Sequence, residues 1–131
     1  MRDYMATMTS LKVLVVDDDP TIRDVLRIML GFEGCQVVDA PDGESALVMF
    51  AAIRPDVVIL DVSMPGMDGV DVCSQLKANP HPPRVVMLTA RAQPEDERRA
   101  LDAGADAYIR KPFSPLEVLE LVGVPMDGDR W

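Results

Sequence analysis

Short apolar, β-branched runs recur along the chain at residues 11–16, 36–40, 57–61, 84–88 and 107–109, and most stop at a polar residue. Brief runs of this kind, bounded by Gly, Pro and Asp, predict strands buried on both faces. Between them the period lengthens. Ile22, Val25, Leu26, Met29 and Leu30 fall at i, i+3, i+4, i+7 and i+8, one face of an amphipathic helix. Asp19 or Thr21 is placed to cap it, and Gly31 or Gly34 to end it. Asp42-Gly43 opens a second helix over Ala46, Leu47, Phe50 and Ala51, closed by Pro55. Val70, Val72, Cys73 and Leu76 make a third, broken by Asn79-Pro80. A fourth, over residues 94–103, has only Ala100, Leu101 and Ala103 to pack behind a charged front, which makes it the helix most able to shift. A fifth starts at Pro115, runs to about Val122, is apolar nearly all round except Glu117 and Glu120, and cannot extend past Pro125.

Strand and helix thus alternate five times. That order predicts an α/β fold, a doubly wound parallel five-stranded sheet covered on both faces by right-handed crossovers. With 131 residues the chain suits one domain over residues 11–123, preceded by a flexible leader at 1–10 and followed by a tail at 124–131. The net charge of −9 offers no basic footprint for a phosphate backbone, so no direct nucleic-acid contact is expected. Cys35 and Cys73 sit inside apolar patterns without the spacing of a zinc site, and are read as buried, reduced thiols. His81, alone among prolines, is read as a solvated loop residue. No apolar run approaches the roughly 20 residues that cross a bilayer, and no signal peptide is evident, so a cytoplasmic, membrane-free location is expected.

The strand ends carry the chemistry. Asp17 and Asp18 follow the first predicted strand, Asp61 closes the third, Thr89 the fourth, and Lys111 follows the fifth. In a doubly wound sheet these exits share one rim, where ligands bind. Carboxylates pressed together there repel and raise one another's pKa unless a cation is present. Mg²⁺ (or Mn²⁺) suits the set, because it takes hard oxygen ligands and binds through one or two carboxylates plus phosphate oxygens. Asp61 would then keep an oxygen free as a nucleophile toward a phosphoryl group. Lys111 would balance the charge on the outer oxygens, and the Thr89 hydroxyl would donate to another. Singly, each residue has an ordinary explanation: a cap, a surface lysine, a strand-closing threonine. Jointly, each at a strand exit, they do not.

With Val16-Asp17-Asp18-Asp19, Asp61 followed by Met64-Pro65-Gly66-Met67-Asp68-Gly69, Leu88-Thr89-Ala90 and Lys111-Pro112-Phe113, the chain resembles the receiver domain of two-component response regulators. The resemblance covers residues 12–122. It implies a flavodoxin-like fold with strand order 2-1-3-4-5. It implies that Asp61 accepts a phosphoryl group from a phospho-histidine of a sensor histidine kinase or phosphotransfer protein, with no enzymatic activity beyond its own phosphorylation and dephosphorylation. Asp17 or Asp18, or both, together with Asp61 and the backbone carbonyl of Ser63 would hold the metal, one acidic residue acting through water, and the amides of Ser63 and Ala90 would assist Lys111 and Thr89. Thr89 and Tyr108 would form the switch that remodels the fourth helix, fifth strand and fifth helix for a downstream effector protein or domain. The resemblance also implies a cis Lys111-Pro112 bond. Residues 126–131 do not open a DNA-binding or catalytic module, so a stand-alone receiver is expected, with excision from a longer regulator as the alternative. The apolar outer surface of the last helix suggests a homodimer that depends on phosphorylation, against a monomer.

Three other readings fit less of the sequence. Residues 13–21 also satisfy the signature of haloacid-dehalogenase phosphatases, with Asp17 as nucleophile and Asp19 as acid/base, yet that reading leaves Asp61 and its loop unexplained. An inactive pseudo-receiver interaction module would have lost one of the acidic residues or the lysine. A dinucleotide-binding fold would need a glycine-rich loop after the first strand, which is missing.

Overall fold

The structure, a computed structural model, describes residues 11–90 and 93–124; the predicted leader and the segment from Pro125 onward lie outside the described residues. Five strands, β1 (Lys12–Val16), β2 (Gln36–Ala40), β3 (Val57–Asp61), β4 (Arg84–Thr89) and β5 (Ala107–Arg110), form one sheet in the order β2-β1-β3-β4-β5. Every pairing is parallel, which places all five carboxyl ends on the same edge. The intervening helices are α1 (Pro20–Phe32), α2 (Gly43–Ile53), α3 (Gly69–Lys77), α4 (Pro94–Asp102) and α5 (Pro115–Val122).

Two apolar clusters, one on each face of the sheet, make the core. Leu14, Val58, Leu60, Val85 and Met87 face α2, α3 and α4, while Val13, Val15, Ile59, Val86 and Leu88 face α1 and α5. The period-2 alternation of strand side chains thus feeds both layers, which explains why the central strands are apolar at nearly every position.

Local chemistry sets the helix ends. Asp19 caps α1, its side chain accepting from Thr21 N–H at 2.9 Å, and Asp42 caps α2 by accepting from Ser45 N–H at 2.8 Å. Gly31 does not end α1. The helix runs through it to Phe32, and Gly34, at φ +91°, takes the chain out. The buried face of α1 is Leu26 and Leu30 with Ile22 and Met29 at its margin, while Val25 faces solvent, as do Ile28 and Phe32. The apolar spacing puts Val25 on the predicted face, but a 13-residue helix against a sheet buries a narrower stripe than the pattern offers. Ala51 in α2 and Leu101 in α4 are exposed as well, so α4 packs with still less apolar surface than its sequence promised. Cys35 and Cys73 are buried and unbridged, and His81 is exposed in its loop. Among the described residues no helix is long and apolar enough to cross a membrane.

Candidate functional site

β1, β3 and β4 deliver their last residues to one acidic rim. Asp17 follows β1 directly, Asp61 is the final residue of β3 and Thr89 the final residue of β4, and all three are buried. Asp18 is exposed beside them. Carboxylate oxygens of Asp17, Asp18 and Asp61 lie within 4.8 Å of one another.

Each buried acid is held by the backbone that follows it. Asp17 is fully buried; its Oδ1 accepts from Asp19 N–H at 2.9 Å and its Oδ2 from Lys111 Nζ at 2.8 Å. Asp61 Oδ1 accepts from the Ser63 N–H at 3.2 Å, and its Oδ2 lies 3.6 Å from Lys111 Nζ. Lys111 therefore stands between the two buried carboxylates. It reaches them because its own N–H donates to the Thr89 carbonyl at 2.7 Å, which continues the β4–β5 pairing past the strand ends. The Lys111–Pro112 bond that follows is cis.

The loop after Asp61 turns back sharply. Gly66 has φ +82°, a conformation that L side chains rarely adopt. At Gly69 a Cβ would come within 2.1 Å of the Asp61 carbonyl oxygen and 2.9 Å of Val62 Cα. Only glycine lets the start of α3 press so closely on the end of β3, and Asp68 Oδ1 caps that start by accepting from Val70 N–H at 2.9 Å.

Burial and, after it, the charge of Asp17 push the Asp61 carboxyl up to about 6, a rise that Lys111 and then the Ser63 N–H oppose without cancelling. Burial pulls the Lys111 ammonium down, but its hydrogen bond to Asp17 and the charges of Asp61 and Asp17 outweigh it, so the net movement is upward. One ammonium thus fails to neutralise three carboxylates. A buried acid whose neighbours still oppose its ionisation, in a cluster of hard oxygen donors, fits a small divalent cation of the Mg²⁺ type.

Tyr108 lies in β5 and packs against the α3/α4 side of the core. Its hydroxyl is buried without a hydrogen-bond partner among the described residues. Burial raises its pKa, opposed by the neighbouring Thr89 hydroxyl, which does not reach hydrogen-bond geometry with it.

Asp19 does not join the cluster. Its carboxylate is spent on the α1 cap, so the acid/base that a dehalogenase-type phosphatase needs is directed away from the rim. Several polar contacts escaped the reading of the sequence. Arg23 Nη1 donates to the Asp17 carbonyl at 2.7 Å while its Nε pairs with Asp39 Oδ2 at 2.9 Å, bracing the acidic loop from α1. Arg99 Nη2 reaches Asp68 Oδ2 at 2.9 Å, and Asp96, at the front of α4, is buried. For Arg23 the available signal was its place one turn into a helix whose cap follows the acidic pair; Arg99 had no comparable signal, since its partner is 31 residues away.

Comparison with known proteins agrees with this geometry. Residues 13–123 match the family model of the response regulator receiver domain. The chain is 44% identical over 111 residues to the DNA-binding response regulator MtrA of Mycolicibacterium smegmatis, a match that spans 85% of this chain and 48% of that protein. It is 46% identical over 110 residues to the response regulator MprA of Mycobacterium tuberculosis, covering 84% of this chain and 48% of MprA. The chain therefore spans about half the length of the curated relatives it matches. Among solved structures, a CheY-like receiver domain protein of Methanospirillum hungatei superposes with a TM-score of 0.82 at 31% identity, over 92% of this chain and 97% of that one. The chemotaxis response regulator CheY4 of Vibrio cholerae gives a TM-score of 0.80 at 34% identity, over 86% and 98%. A flavodoxin-like sheet ordered 2-1-3-4-5, an acidic rim with a lysine across it and a family match over nearly its whole length make this chain a member of the response regulator receiver domain family of two-component signalling.

Proposed function

We propose that Asp61 is the phospho-acceptor of this receiver and that Asp17, Asp18, Asp61 and the Ser63 carbonyl hold a Mg²⁺ ion beside it. The observation that carries the proposal is Lys111 Nζ placed 2.8 Å from Asp17 and 3.6 Å from Asp61 on the rim of the sheet. A carboxylate flanked by a fixed ammonium is a well-placed nucleophile, because the incoming phosphoryl oxygens meet a cation where they gain charge. When bound, the ion supplies the second positive charge that the phosphoryl oxygens and the crowded carboxylates both need.

An Asp61 oxygen attacks phosphorus in line with the phospho-histidine nitrogen of a sensor kinase or phosphotransfer protein. The P–N bond breaks, its electron pair returns to the imidazole, which takes up a proton, and an acyl phosphate remains on Asp61. Lys111 and the Thr89 hydroxyl hold the outer oxygens, with the Ser63 and Ala90 amides assisting. Reaction with water reverses the modification, so the domain acts on no substrate but its own aspartate. The Thr89 hydroxyl is drawn toward the phosphoryl group and leaves the side of Tyr108, whose buried hydroxyl, without a partner among the described residues, gives that ring a second state to seek. The altered α4-β5-α5 surface is then read by an effector protein or domain, in the cytoplasm.

The acidic domain offers no basic footprint for a DNA backbone, and the DNA binding in MtrA's name is said of that protein. Residues 11–123 act as the folded unit, as a monomer or as a homodimer formed on phosphorylation.

Incubation with acetyl phosphate and Mg²⁺, followed by intact-mass and peptide analysis, tests the assignment. One phosphoryl group should appear on Asp61 and vanish in Asp61→Asn. Labelling that survives Asp61→Asn and disappears in Asp17→Asn would overturn it in favour of the phosphatase chemistry.

A further inference from the structure

The segment between β3 and α3 arches beside a cavity of about 370 Å³ lined by residues 62–66, Asp68 and Arg99. Val62, Met64 and Met67 pack the arch against the core, while on the cavity side no side chain among the described residues fills the space. Polar contacts at its far end add to that packing. The two oxygens of Asp68 have different tasks: Oδ1 caps α3 through Val70 N–H at 2.9 Å, and Oδ2 takes Arg99 Nη2 from α4 at 2.9 Å. Arg99 also lies 3.9 Å from Asp96, a buried carboxylate one turn earlier in the same helix, which holds the guanidinium toward the loop. The helix that supplies this tether is itself lightly held. Only Asp96 and Ala100 of α4 are buried, and Gln93 at its start offers no side-chain cap.

We propose that Arg99 is a positioning residue for the acceptor loop: through Asp68 it fixes the segment that carries Ser63, and thereby couples the readiness of the rim to receive its divalent ion to the placement of α4. The proposal rests on the metal role assigned to Ser63 above. Coupling of this kind is reciprocal. A shift of α4 slackens the arch, and an ion gripped by the arch steadies α4. Neither Arg99 nor Asp68 touches the reacting atoms; both act through the loop backbone.

The cap on Val70 and the pair with Arg99 use different oxygens of Asp68, so the two contacts can be altered separately. Asp68→Asn keeps an N-cap oxygen for Val70 and removes the charge that Arg99 meets. Arg99→Gln removes the cation, and Arg99→Lys keeps the charge without the fork. Hydrogen exchange of metal-free protein should show residues 63–68 exchanging about two- to fivefold faster in Arg99→Gln and in Asp68→Asn, the range expected from an exposed ion pair. Residues 57–61 should be unchanged. Titration with Mg²⁺ alone, followed by amide chemical shifts, should show half-saturation raised by a similar factor, partly restored in Arg99→Lys, and no further rise in the double variant. Unaltered exchange at 63–68 in Arg99→Gln, or single-variant effects that simply add in the double variant, would overturn the tether. Failure of acetyl phosphate to modify Asp61 in the unaltered protein would instead undo the function proposed above while leaving the exchange pattern as expected, so the two failures are distinguishable.

Discussion

The centre of the sheet and its β5 edge are built to different standards. At the centre, β3 is paired on both sides and every residue from Val57 to Asp61 is buried, while β1 beside it is buried from Val13 to Val16. Asp17 and Asp61 emerge from those strands with both carboxylate oxygens engaged. At the edge, β5 has four residues and a single neighbouring strand, Tyr108 leaves a buried hydroxyl unpartnered among the described residues, and α4 covers this region with two buried side chains. Charges that must not move belong on the first kind of structure. A surface that must answer to them belongs on the second, where few contacts need to be broken. The rim is thus firmly held at Asp61, and the structure is lightly held from β5 outward.

The largest effect should come from cutting the fixed side at its cation. In Lys111→Ala, phosphorylation of Asp61 by acetyl phosphate should slow by about 100- to 1,000-fold, the scale of losing one preorganised charge donor. The same change leaves Asp17 and Asp61 facing each other without their ammonium, and urea unfolding of the metal-free protein should show a loss of about 2–4 kcal/mol. An equal loss of stability in Tyr108→Ala, with phosphorylation untouched by Lys111→Ala, would erase the distinction between the two regions.

A smaller effect follows from the Asp61 carboxyl, held at about 6 against an ordinary value of 3.8. Its native pKa lies above its unfolded one, so between those values the folded state binds more protons and stability falls as pH rises. Below about pH 4 the acid is protonated in both states and contributes no penalty; above about pH 6 the penalty, on the order of 2–3 kcal/mol, is complete. Asp61→Asn should therefore raise the melting temperature of metal-free protein at pH 7.5 and change it little at pH 4. Mg²⁺ should stabilise the unaltered protein markedly at pH 7.5, weakly at pH 5, and far less in Asp61→Asn, since an ion that binds the ionised cluster stabilises by mass action. Removal of the ion with a chelator should reverse the gain.

How much of this was legible differs between the same two regions. The strands, their order of appearance and the convergence of Asp17, Asp18, Asp61, Thr89 and Lys111 follow from short-range patterns, because a buried parallel strand needs a continuous apolar run and must end in something polar. The edge is written less plainly. Leu101 reads as a core residue of α4 and is exposed, because a charged helix lying at the margin of a sheet has no neighbour to bury its far side. The Asp68–Arg99 pair spans 31 residues, and its existence depends on how α3 and α4 sit together, a tertiary fact that neither residue announces locally. Arg23 on the Asp17 carbonyl is intermediate: the helix places it near the loop, but only the fold shows which acceptor it finds.

The smallest effect sharpens the comparison most, because it isolates one atom of the yielding side. Tyr108→Phe removes the hydroxyl that is buried without a partner among the described residues and keeps the ring that packs on the core. A buried polar group lacking its hydrogen bond costs the folded state, and a hydroxyl near the surface costs less than one at the centre, so the metal-free protein should gain about 0.5–1 kcal/mol in urea unfolding. The gain belongs to the unphosphorylated state, in which Thr89 stays beside the ring. If phosphorylation frees that hydroxyl to find a partner elsewhere, the variant ring forfeits the partner, and the stabilisation should shrink or change sign in protein loaded with a beryllofluoride mimic and Mg²⁺. An equal gain in both states would mean that Tyr108 is packing alone, and that the edge yields for reasons other than its unpartnered hydroxyl.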